Sequence, residues 1–153
     1  MLRRLIAALL MLTSPPAASA QEAEVLATSW SRSGTVAPAY AWSVTTVIRI
    51  DGQVSVTACK GYDTEGPNCT TRKGTAAPDR LDAIRAAVAA SGLLDAPARE
   101  ADSFPVGGGT NGGSVQIGGV TVVLPPFPAE ADIPRVAAVM AAIATAIPGD
   151  LGN

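Results

Sequence analysis

The chain has 153 residues, 48% of them apolar, with 11 basic and 13 acidic side chains and no histidine. That length supports one ordinary domain with a modest core. The weakly acidic balance argues against a nucleic-acid reader, which usually carries a basic patch, and the missing imidazole excludes Ser-His-Asp catalysis, Cys-His catalysis and His-ligated metal within this chain.

The first element is a leader. "MLRRLIAALLMLTSPPAASAQEAEV" places Arg3 and Arg4 before an apolar run, Leu5 to Leu12, and then the small-residue cleavage signal Ala18-Ser19-Ala20. This is the pattern of a secretory signal peptide over residues 1–20, with an apolar run too short to span a bilayer. Cleavage after Ala20 leaves residues 21–153 as one domain, with its core over roughly 40–147. Losing Arg3 and Arg4 leaves nine basic residues against 13 acidic, a formal net of −4. Such a surface has little affinity for anionic lipid. No later run is long enough to span a membrane; the apolar stretch at 136–147 is too short. Abundant Ala and Gly, with Arg as the main base, suggest a bacterial exported protein.

Val25 to Trp30 reads as a short strand. "AWSVTTVIRI" alternates, with Trp42, Val44, Thr46, Ile48 and Ile50 on one face, so a half-buried strand is expected. Asp51-Gly52 reverses the chain, and "QVSVTAC" returns with Val54, Val56 and Ala58 on one face. A three-residue loop, Asp51 to Gln53, pairs Ile50 with Val54 and Ile48 with Val56. It keeps the two apolar rows together, whereas a two-residue loop would put them on opposite faces.

Cys59 and Cys69 are the only cysteines. An even count at close spacing in an exported chain reads as a disulfide. A metal pair or a nucleophilic thiol would need further ligands or a base, and neither histidine nor a third cysteine is present. Within the loop, Asp63, Glu65 and Asn68 offer oxygen ligands, but without the acidic, Gly-centred spacing of a calcium loop. Asn68-Cys69-Thr70 matches the N-glycosylation pattern, an accidental match in a bacterial protein. Tyr62, near the tip of the closed loop, is the expected contact with a partner.

"APDRLDAIRAAVAASGLL" predicts a helix with Pro78 in its first turn, Leu81, Ile84 and Val88 on one face, and Gly92 as the stop. Leu93 and Leu94 are expected to continue the core. A long polar connection follows, ending in "VGGGTNGG". Gly107, Gly109 and Gly112 satisfy G-x-G-x-x-G, yet a phosphate-binding loop opens a helix whose N-terminus holds the anion. Here the glycines lead into "SVQIGGVTVVL", a hairpin with a Gly118-Gly119 turn that pairs Ile117 with Val120 and Val115 with Val122. The last element, "DIPRVAAVMAAIATAIPG", predicts a helix capped by Asp132, with Pro134 in its first turn and a stripe of Val136, Met140, Ile143 and Ile147.

The expected fold is α+β: two β-hairpin-plus-helix units forming one antiparallel sheet, with two helices packed on one face. The run "YAWSVTTVIRIDGQVSVTACKGY", "LDAIRAAVAASGLLD" and "GGSVQIGGVTVVLPPFPAEADIPRVAAVMAAI" resembles a group of small exported bacterial domains of unknown function. Those also use strand, turn, strand and helix twice. The resemblance implies a fold and no activity, so it assigns no functional residue.

The acids Asp51, Asp79, Asp82, Asp95, Glu100, Asp102, Glu130 and Asp132 sit in turns, caps and loops, where solvated surface charge is their expected state. Trp42 is expected in the core. No catalytic, cofactor-binding or metal site is expected. The working reading is a non-enzymatic binding domain of the cell envelope, periplasmic or secreted, whose partner is a protein or small ligand and not nucleic acid. Its alternative is an inhibitor of a protease or other hydrolase, acting through loop 59–69.

Overall fold

The computed structural model describes residues 24–103 and 107–151, so the leader at 1–20 lies outside the described residues. Six strands form one antiparallel sheet, joined by two helices in an α+β fold. In chain order these are β1 (Val25–Arg32), β2 (Trp42–Arg49), β3 (Gln53–Lys60), β4 (Cys69–Thr75), α1 (Pro78–Ser91), β5 (Thr110–Ile117), β6 (Val120–Leu124) and α2 (Ile133–Ala146). Spatially the strands run β4-β3-β2-β1-β5-β6, which puts β1 in the interior of the sheet.

The strand content departs from the expected pair of hairpins. Four strands precede α1, because β1 joins the sheet fully and the residues after Cys69 form β4. "CTTRKGT" lacks an apolar row and hides as a strand in sequence. It forms because its partner β3 supplies the ladder, with Val54 opposite Gly74 and Cys59 opposite Cys69.

One row of side chains crosses the whole sheet: Gly74, Val54, Ile48, Ala27, Val115 and Val122 are successive cross-strand neighbours. Its apolar members are buried and join one core with Leu81, Ile84 and Val88 of α1 and Val136, Val139 and Ile143 of α2. The two helices also contact each other. Burying each such aliphatic side chain contributes roughly 1.5–3 kcal/mol.

The local signals at the helix ends act as expected. Pro78 and Pro134 occupy the first turns, and Gly92 closes α1 in the left-handed conformation at φ 66°. Asp132 does not cap α2 through its side chain. It is buried instead, accepting the Arg99 main-chain N–H at 3.0 Å and an Arg135 Nη1 hydrogen bond at 2.6 Å. Arg135 also donates to the carbonyls of Ser91 and Ala96, so this ion pair ties the end of α1 to the start of α2. The expectation of a solvated Asp132 is thereby corrected. The Arg99 N–H holds the carboxyl below its ordinary value; partial burial opposes that and the Arg135 guanidinium reinforces it.

Two further expectations change. The β2–β3 loop is three residues long, but it is Ile50-Asp51-Gly52, so Ile48 pairs with Val54 and Thr46 with Val56. The shift of two positions keeps the apolar rows on one face, which is why alternation could not detect it. Asp51 fixes the turn by accepting the Gln53 N–H at 3.0 Å, and Ile50 is left exposed. Leu93 enters the core, whereas Leu94 points out. In β5–β6 the Gly118-Gly119 turn pairs Ile117 with Val120 and Val115 with Val122, as expected, with both glycines at positive φ.

Candidate functional site

The connections 33–41, 61–68 and 107–109 meet at one end of the sheet. Cys59 and Cys69 face each other across β3 and β4 and are joined by a disulfide, which closes the middle connection at its base. The Gly61 N–H donates to the Ala41 carbonyl at 2.8 Å, and Ser43 Oγ donates to the Asp63 carbonyl at 3.3 Å. Tyr62 closes the arrangement: its hydroxyl donates to the Val36 carbonyl and accepts the Val36 N–H at 3.2 Å. Gly34 lies against Gly108, so that a Cβ at position 34 would clash with the Gly108 carbonyl oxygen. The disulfide loop is therefore anchored at its base by sulfur and at its side by a phenol.

Two adjoining hollows result, of about 350 Å³ and 240 Å³, sharing Arg32, Ser43 and Thr64. Trp42, Tyr62 and Asp63 line the larger one; Trp30 and Thr45 line the smaller. Trp42, expected in the core, is 44% exposed. Its parity in β2 is the core-facing one, but it stands opposite Lys60 at the strand's first position, outside the buried cluster. Tyr62 is 59% exposed, so its ring remains accessible although its hydroxyl is engaged.

Arg32 and Trp30, two residues apart on β1, share a face. The Arg32 guanidinium carbon lies 4.7 Å from the centre of the Trp30 ring, and its Nε donates to Thr110 Oγ1 at 3.4 Å. A cation over an indole face is held electrostatically. Among the described residues no carboxylate pairs with Arg32. Trp30, Thr45, Thr57 and Thr71 are successive neighbours across the strands on the side opposite the apolar row, with Thr57 and Thr71 hydroxyls 2.9 Å apart. Sequence reading missed Arg32, Trp30 and Thr64. The i, i+2 spacing of Trp30 and Arg32 was the available signal.

Other candidate groups are placed differently. In the disulfide loop, Asn68 Nδ2 donates to Asp63 Oδ2 at 2.6 Å, which engages two of the three oxygen-bearing side chains with each other. Glu100, Asp102 and Glu130 line a separate hollow of about 340 Å³ and are exposed, so water solvates their charge. The glycine run leads into β5, and no helix follows it directly. A hollow of about 430 Å³ at the far end of the sheet is lined by Arg49, Gln53, Ser55, Lys73 and Thr75 and has no aromatic wall. Among the described residues no helix is long and apolar enough to cross a membrane.

No model of a protein family matches the chain, and no curated protein matches it.

Proposed function

We propose that this chain is an exported, non-enzymatic binding domain of the bacterial cell envelope, periplasmic or secreted, that takes its ligand at the disulfide end of the sheet. In this reading both helices lie on one side of the sheet, and the hydroxyl-rich side with the two hollows is left for recognition. One observation carries it: the connections 33–41 and 61–68 are tied to each other above the disulfide, with the Tyr62 ring left exposed. A site built before its ligand arrives avoids much of the ordering cost of binding.

The test is a thermal-shift screen of small polar envelope compounds against the wild type and Ser43→Trp, which fills both hollows. Ligands that raise the melting temperature of the wild type and not of Ser43→Trp are the expected result. Hits that stabilise both proteins equally would reject the site, and turnover in a broad substrate screen would reject the non-enzymatic reading.

A second reading is inhibition of a secreted hydrolase through loop 59–69. The anchoring of Tyr62 to Val36 favours it, because a loop held in one conformation loses little entropy on entering a cleft. A panel of secreted proteases separates the readings: no inhibition at micromolar protein removes this one.

A further inference from the structure

The chemistry of the larger hollow selects among ligands. Resting on the binding-domain reading above, we infer that it is a site for an acidic sugar, a ring bearing one carboxylate and several hydroxyls.

Arg32 supplies the anion-binding group. Its guanidinium is already oriented by the Trp30 ring and by Thr110, and no carboxylate among the described residues neutralises it. A guanidinium presents paired N–H donors that match the two oxygens of a carboxylate, and preorganisation lowers the entropy lost on pairing. Thr35 and Thr64 add hydroxyls that both donate and accept, and Ser43 Oγ, whose proton goes to the Asp63 carbonyl, adds an acceptor, matching the hydroxyls of a sugar. Tyr62, whose ring is exposed, offers apolar surface for the C–H face of the same ligand.

Asp63 sharpens the choice. Asp63 is part of the hollow's lining and its carboxylate is held by Asn68, so the lining includes one cationic and one anionic residue. A phosphate dianion would meet the Asp63 charge, whereas a monoanion with hydroxyl donors can place its carboxylate on Arg32 and a hydroxyl on Asp63. A neutral sugar would leave Arg32 without its complement.

Both tryptophans of the chain line the hollows, so intrinsic fluorescence reports occupancy. The full exported chain is titrated with glucuronate, galacturonate, glucose, acetate and inorganic phosphate, and each signal is repeated by calorimetry. A uronate should bind saturably, with glucose, acetate and phosphate each at least about tenfold weaker. Arg32→Gln should lower uronate affinity at least about tenfold and bring it level with glucose, while the thermal melt stays cooperative. Thr64→Trp, which fills the hollow and leaves Arg32 in place, should abolish uronate binding even if Arg32→Gln fails to fold. Uronate binding no tighter than that of glucose or acetate, or unchanged by Thr64→Trp, would overturn the assignment. If uronates fail while other ligands in the Ser43→Trp screen bind, the acidic-sugar assignment falls and the binding-domain reading stands.

Discussion

Trp30 of β1 stands opposite Gly112 of β5, and its indole occupies the space a side chain at 112 would need: a Cβ there would come within 2.9 Å of Trp30 Cζ2. The glycine is thus required by a neighbour, and its conformation is ordinary. An aromatic ring laid over a strand glycine covers backbone that would otherwise be left bare. It also sets the ring plane on which Arg32 rests.

Gly112→Ala should therefore destabilise the fold by roughly 1–3 kcal/mol through overpacking. The Leu124 carbonyl, 3.0 Å from the same Cβ position, prevents easy relief. Chemical denaturation of Gly112→Ala in the wild type and in Trp30→Ala measures the coupling. The substitution should cost less when the indole is absent, and equal costs would show that the ring is not the obstacle.

Removal of the disulfide by Cys59→Ser with Cys69→Ser should lower stability by about 2.5 kcal/mol, the loop-closure value for a loop of this length. Urea unfolding gives the stability change. The ligand response at the rim should weaken as well, because the base of loop 61–68 is released. Full retention of stability would mean that the ladder between β3 and β4 fixes the loop alone.

Leu93 and Leu94 make a matched pair for the core boundary. Leu93 is 1% exposed, and Leu93→Ala should cost roughly 2–5 kcal/mol. Leu94→Ala should stay within about 1 kcal/mol. Thermal melts of the two variants check the order. Sequence treats the residues alike, since both follow the α1 stop at Gly92. Which of two adjacent leucines turns inward is decided by the path of the chain after that left-handed residue.

Asp132 links stability to pH. Its carboxyl is held below its ordinary value in the folded protein, so it binds protons less readily there than in the unfolded chain. The stabilisation is therefore full above the unfolded value near 4 and is lost as pH falls through the lower folded one. Asp132→Asn should reduce stability at pH 7 and flatten the acid limb below pH of about 4. Denaturation midpoints across that range test this; an unchanged acid limb would remove Asp132 from the linkage.

The legible parts of the fold were those with local signals. Pro78, Gly92 and Pro134 marked helix ends, the Gly118-Gly119 turn fixed a register, and an even pair of closely spaced cysteines marked a disulfide. The illegible parts depended on partners distant in sequence. β4 has no apolar row and exists through its ladder with β3, closed by Arg72, whose guanidinium reaches the carbonyls of Asp150 and Leu151 after α2. Gly74 makes room there: a Cβ would meet Leu151 Cδ1 at 2.8 Å. The candidate site was half visible. Tyr62 was marked by its place in a closed loop, whereas Arg32 and Trp42 acquire their role only when three connections meet at one end of the sheet.

The most direct measurement of the proposed site is amide chemical-shift mapping on the uniformly labelled domain with a ligand from the screen. Perturbations concentrated at 32–35, 42–45, 61–64 and 110 are the expected result. Perturbations at the far end of the sheet around Arg49 and Lys73, or spread evenly over the chain, would contradict a binding site at the disulfide end.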